Sequence, residues 1–274
     1  MSDKPLRLLI LGAHPDDAEV AGGGLVAAFR RHGHVVKMVS VTNGESGHHL
    51  TPGAALAARR KQEAARSAAL IGAQAEVWEY PDGQLLPTLD LRLRIIREIR
   101  AFAPQLVLTH RPNDYHPDHR AVGQSVQDAS YMLTVPNIAP DVPILRRDPV
   151  VGYLPDRFTK PTRLQADVVL DASEHFETVV DMLACHESQF FEWLPFNQPS
   201  MGVPPIDAAG RRAWLRDWFR QWVGDLAERF RPELDDTFGP QRSRLVIYPQ
   251  VFEISEYAAP LDLEARQRLF ACLV

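Results

Sequence analysis

The sequence predicts an α/β fold: a mainly parallel sheet flanked by helices, with a smaller mixed C-terminal extension. Three observations carry that reading. Over residues 1–133, short runs of β-branched residues and leucine alternate with longer alanine- and arginine-rich stretches of helical spacing. The short runs are almost continuously apolar, as strands covered on both faces of a parallel sheet must be. The helix ends are punctuated, with Gly33 and Gly72 where helices should stop and Pro104 after the third.

In chain order, strands are expected at "LRLLILGA", "VVKMVSVT", "AEVWEY" and "PQLVLTH". Helices are expected between them at "AGGGLVAAFRRHG", "ALAARRKQEAARSAALIGA" and "LDLRLRIIREIRAFAP". Such βαβ alternation is Rossmann-like. From about residue 134 the pattern changes, and "TVPNIAPDVPILRRDP" reads as a proline-rich loop with little regular structure. Strand candidates "VVGYL" and "LQADVVLDA" follow, then a helix over "SEHFETVVDMLACHESQF". Residues 190–230 are rich in tryptophan and read as a helical insertion with flanking loops. Trp214, Trp218 and Trp222 lie on one helical stripe, expected to pack on the core. A subunit interface, and hence a homo-oligomer, or a pocket wall is the alternative use of that stripe. The whole of 1–274 is read as one domain, with a core at 1–133 and an extension at 134–274.

Composition narrows the function. A net charge of −5 without a basic cluster argues against a nucleic-acid surface. Cys185 and Cys272 are the only cysteines and form no CxxC pair, so no cysteine zinc cage is expected and a reducing compartment fits. The apolar run near the start is short and is followed by charge, unlike a signal peptide. No apolar run reaches the roughly 18 residues of a membrane span. The expected address is the cytoplasm.

The chemistry sits after two strands. "LLILGAHPDDAEV" places His14, Asp16 and Asp17 beyond the first, and "THRPNDYHPDHRAVG" places His110, Asp114, His116, Asp118 and His119 beyond the fourth. In open parallel sheets ligands bind at the carboxyl ends of strands, and neighbouring strand ends can join two such stretches. His14 and Asp17 are three apart, and one histidine from the second stretch completes a His2Asp set for a catalytic zinc with an open position. Asp16 is then left beside the metal as the natural general base. Of His116 and His119, one can bind metal and the other face substrate, where it can stabilise an oxyanion or protonate a leaving group. Asp118 between them can orient its neighbouring histidine or raise its pKa.

Plainer readings stand beside these. An aspartate at a helix start is commonly a cap, and short HxxH fragments arise by chance. The joint occurrence of both stretches, each after an apolar strand, favours a site. Gly22–Gly24 lack the Lys-Ser/Thr of a phosphate loop and fit no GxGxxG turn, so they are read as close helix–sheet packing or room for substrate. His110 is expected to pack or hydrogen-bond locally, and His48 and His49 to be solvated loop residues within reach of substrate.

The stretches Ala13–Glu19 (AHPDDAE), Thr42–Gly47 (TNGESG), Arg60–Glu63 (RxxE) and Asp114–Ala121 (DYHPDHRA), and more weakly His186–Gln189 (HESQ), carry a resemblance. In them the sequence resembles the LmbE-like/PIG-L family of zinc-dependent N-acetylglucosaminyl deacetylases, over roughly the first 190 residues. The resemblance implies zinc on His14, Asp17 and His119, with Asp16 as general base. It implies His116 as the acid or oxyanion partner, tuned by Asp118. It implies substrate contact by Arg60 and support from Glu45 and Glu63. His186 and Gln189 are implied to line the same pocket, with a plain helix face as the equal alternative. Tyr115, Arg111 and Asp114 occupy the region from which family members draw a further group for the tetrahedral intermediate. The implied activity removes the N-acetyl group from an N-acetylglucosamine-containing small molecule. Another acyl amine, or a non-catalytic sugar-binding role, is the alternative, and Asp16 favours an enzyme because a binder needs no base. A His2Asp set also suits iron, cobalt or nickel.

Overall fold

A computed structural model describes residues 4–273 of the chain. The first half runs β1 (Arg7–Gly12), α1 (Asp17–Arg31), β2 (Val35–Thr42), α2 (Ala54–Ile71), β3 (Gln74–Tyr80), α3 (Leu89–Phe102), β4 (Leu106–Thr109) and α4 (Pro117–Ser130). The second half runs β5 (Val150–Tyr153), β6 (Val168–Asp171), α5 (Phe176–Ala184), α6 (Leu194–Asn197), α7 (Ala208–Arg229), α8 (Arg231–Phe238), α9 (Pro240–Ser243), β7 (Pro249–Ile254) and α10 (Leu263–Phe270).

Seven strands form one sheet in the order β3-β2-β1-β4-β5-β7-β6. The first five are parallel, and β7 runs antiparallel to both of its neighbours. The apolar strands are explained by two covering layers. In β1, Leu8 and Ile10 face the core under α1, α5 and α7, while Leu9 and Leu11 face the one under α3 and α4. Alternate residues therefore enter opposite cores, and none can be polar. Gly24 lets α1 lie directly on the sheet, since a Cβ there would stand 2.6 Å from that of Ala172. The glycine run thus serves packing.

Two expectations change, and the tryptophan stripe packs on the core as expected. β7 "PQVFEI" and the helices α4 and α10 were not among the elements anticipated. β7 is short and opens on a proline, and only its insertion between β5 and β6 makes it a buried strand. The helix expected over residues 173–190 is broken: α5 ends at Ala184, and a π-helical turn covers Ser188–Trp193. On α7 the fully buried line is Leu215, Phe219, Val223 and Leu226, while Trp214, Trp218 and Trp222 flank it, half-buried against the same core. Among the described residues no helix is long and apolar enough to cross a membrane.

Strand order reverses at β1 and β4: the chain leaves β1 towards β2 on one side and β4 towards β5 on the other. The crevice beyond their carboxyl ends is where a doubly wound sheet binds ligands, and both histidine-rich stretches open into it.

Candidate metal centre and active site

Between β1 and α1 the chain turns through Ala13–Asp16, and His14 N donates to Asp17 Oδ2 at 2.7 Å, closing the turn. Asp16 takes φ 134°, a region that L-residues rarely adopt and that must be held by its surroundings. Across the crevice, His116 is the N-cap of α4: its Nδ1 accepts from Asp118 N at 3.2 Å, and Pro117 occupies the first helical position. Helix initiation thus explains the order His-Pro-Asp-His, with Asp118 and His119 carried in the first turn. Gly123 brings α4 onto the exit of β4, because a Cβ there would overlap the carbonyl oxygen of His110.

The two turns meet. His14 Nδ1 lies 3.5 Å from Asp17 Oδ2 and 3.3 Å from His119 Nε2, and His119 Nε2 lies 3.5 Å from Asp17 Oδ1. The far nitrogens face carboxylates. His14 Nε2 is 3.1 Å from Asp82 and 3.3 Å from Asp118, and His119 Nδ1 is 3.2 Å from Asp114. A carboxylate holds the ring proton on the nitrogen that it faces and leaves the other nitrogen as a lone-pair donor. Both lone pairs and the Asp17 carboxylate therefore converge on one point. Such a set repels itself unless a cation lies among its members. A tetrahedral metal with bonds of about 2.0–2.1 Å separates its ligands by about 3.4 Å, so these donors fit one with a vertex left open. Three groupings, His14–His116–His119, His14–Asp82–His116–Asp118 and Asp17–His110–His119, bring donor atoms within 4.8 Å of one another.

Residues 9–130 match the family described as PIG-L: GlcNAc-PI de-N-acetylase. Over these residues the chain is similar to that family. It is 29% identical over 205 residues to the diacetylchitobiose deacetylase of Thermococcus kodakarensis, covering 69% of this chain and 74% of that protein. The N,N'-diacetylchitobiose deacetylase of Pyrococcus horikoshii shares the fold with a TM-score of 0.68 at 20% identity, over 92% of this chain and 84% of that one. A 4-carboxy-2-hydroxymuconate hydratase from Pseudomonas putida shares it with a TM-score of 0.72 at 19% identity, over 94% and 99%. The fold therefore hosts more than one chemistry, and the site must decide.

Within this site the charges follow from burial and neighbours. Burial alone would depress His14, but Asp118, Asp17 and Asp82 outweigh it and hold its pKa well above the ordinary value. Burial would raise Asp17, yet the surrounding histidines, His119 foremost, keep it well below the usual carboxylate range. Burial pushes Asp16 up to about 6, against the pull of Arg60. Asp82 goes the other way: burial is outweighed by its bond to His14, which brings it down to about 2.

Several residues take places other than those expected. Asp118 spends its carboxylate on Gly83 N, Leu85 N and His14, and meets His116 only through its backbone N–H. It therefore orients His14, where the sequence pointed to His116. Arg60 is 2% exposed and donates to Pro15 O, Gly44 O and Asp16 Oδ2. It braces the Asp16 turn from behind and offers little surface to a substrate. His186 and Gln189 are buried as well: His186 Nε2 meets Glu19 at 3.0 Å, and Gln189 donates to Gly47 O. Of the three groups near the tetrahedral position, Arg111 is locked to Asp156 and Asp114 to His119, whereas Tyr115 is 68% exposed with its ring against His116 and His119.

His110 does bond locally, accepting from Ala13 N and stacking on His119. His48, expected in solvent, is buried against Glu192, and His49 stacks on Phe196. Asp82 was not singled out from the sequence. The signal was present, since "YPDG" is a carboxylate just beyond a strand end, the same criterion that marked the other two turns.

Proposed function

We propose that the protein is a metal-dependent amide hydrolase that removes the N-acetyl group of an N-acetylglucosamine-containing small molecule. His14, Asp17 and His119 hold the metal, Asp16 is the general base and His116 the acid. The observation that carries this reading is the convergence of His14, His119 and Asp17, with both histidines facing carboxylates, beside a strained aspartate. Zinc or a similar ion bound there supplies Lewis acidity to the acetamide carbonyl and to the attacking water.

The chain's own groups do the rest. Arg60 engages Asp16 Oδ2, and we assign Oδ1 to take the proton of the attacking water. His116 stands with its ring 4.5 Å from that of His14, at the mouth of the site, and delivers a proton to the departing nitrogen. Tyr115 on the rim donates to the oxyanion. The C–N bond breaks, water supplies the new C–O bond, and acetate and a free amine leave.

The test is acetate release from a panel of N-acetylglucosamine derivatives, with metal content measured on wild type and on Asp16→Ala. We expect about one metal per chain in both and a loss of about 10²- to 10⁴-fold in kcat for the variant. A protein that binds no metal in zinc-replete medium would sink the reading. Turnover of a conjugated enol acid with no acetate release would move the protein to hydratase chemistry.

A further inference from the structure

We propose that Glu19, His186 and Ser67 form a positioning cluster for Asp16, holding the first turn of α1 so that Asp16 keeps its strained backbone beside His14. The inference rests on the proposed role of Asp16 as base.

A backbone at φ 134° is strained and persists only where the surroundings over-determine it. Asp16 O accepts from Glu19 N at 3.1 Å and from Val20 N at 3.0 Å, so Glu19 is one turn on and bonded directly to the strained residue. The Glu19 carboxylate is buried and accepts at Oε1 from Ser67 Oγ at 2.7 Å, with His186 Nε2 at 3.0 Å from the same oxygen. Ser67 belongs to α2, and His186 to the break after α5. The first turn of α1 is therefore tied to two other elements through one oxygen. Arg60 lies seven residues before Ser67, two helical turns away on the same face of α2, and grips Asp16 and Pro15 directly. One helix thus fastens both ends of this turn.

A purely structural role is a poor account of these residues. His186 is fully buried, and its Nδ1 has no hydrogen-bond partner. A buried ionisable pair with an unspent polar atom is a cost that apolar side chains of similar volume would remove. The break between α5 and the π-helical turn, which turns His186 inward, fits the same purpose, since such irregular turns recur at functional sites.

The experiment is a double-mutant cycle between His186→Ala and Asp16→Ala on the metal-loaded protein. In the wild-type background His186→Ala is expected to lower kcat by about 10- to 100-fold with KM and metal content unchanged. In the Asp16→Ala background it should cost almost nothing more. His186→Gln, whose amide can donate to Glu19, should recover part of the loss, and Ser67→Ala gives a milder change if the alanine variant folds poorly. Equal losses in both backgrounds, or a fall in Tm with kcat intact, would overturn the proposal. Spectra of ¹⁵N-histidine-labelled protein test it apart from turnover: Asp16→Asn should move the His186 ring resonances, and resonances that stay in place overturn it whatever the substrate. An absence of acetate release with shifted resonances would fault the assigned reaction and leave the cluster standing.

Discussion

Gly123 decides where His119 stands. Its hydrogen faces the carbonyl oxygen of His110, and no side chain can turn away from a backbone atom. Gly123→Ala must push α4 off the end of β4 and carry His119 away from His14 and Asp17. A loss of about 1–3 kcal/mol in urea unfolding is expected, together with weaker metal retention on dialysis. Retention equal to wild type would mean that the first turn of α4 is held by its cap alone. The same scale explains why two adjacent carboxylates differ so much. Asp17 sits among histidines and stays ionised, whereas Asp16 is buried with a single guanidinium and is pushed up to about 6. Such opposed shifts suit the ligand and base roles proposed for Asp17 and Asp16.

Between elements, one carboxylate joins the loop after β2 to the π-helical turn before α6. Glu192 takes two hydrogen bonds from Arg59, at 2.8 and 2.5 Å, and one from His48 at 2.9 Å. The Arg59 bonds hold its carboxyl below the usual range against burial, with His48 adding to them. A depressed carboxyl stabilises the fold fully above its unfolded pKa of about 4.3, and that contribution is lost as pH falls through the lower folded value. Glu192→Gln should therefore be less stable than wild type at pH 7, by about 1 kcal/mol at most because the side chain is 38% exposed. The gap should close on acidification below pH ~4. Chemical denaturation across that range checks it, and a gap that is constant or widens on acidification would refute the assignment.

At the scale of the molecule, metal and fold are linked. A ligand that binds only the folded chain stabilises it by about 4 kcal/mol when present at a thousandfold excess over its Kd. For a chain of this size that corresponds to a rise on the order of 10 °C in Tm. Chelation should reverse it in wild type, and His14→Ala should abolish the dependence of Tm on metal. A wild-type Tm indifferent to chelator would mean that the donors at the strand ends hold no ion.

Local patterns wrote much of this into the sequence. The central parallel strands are apolar runs because two cores flank them, and the first three helices show their 3.6-residue period and stop at a glycine or before a proline. The chemistry-bearing turns were legible because function in such sheets gathers at strand ends. What the sequence could not assign was partnership. Its periods describe one element at a time, whereas β1 lies beside β4, about a hundred residues away, through a register set by both cores. That adjacency gives Asp118 to His14, while the loop after β3 brings in Asp82. Packing of α2 and of the turn after α5 makes Arg60 and His186 buried braces, where the resemblance implied substrate contacts. The antiparallel place of β7 between β5 and β6 was likewise a tertiary decision, since a six-residue strand opening on proline becomes one only when both neighbours supply its hydrogen bonds.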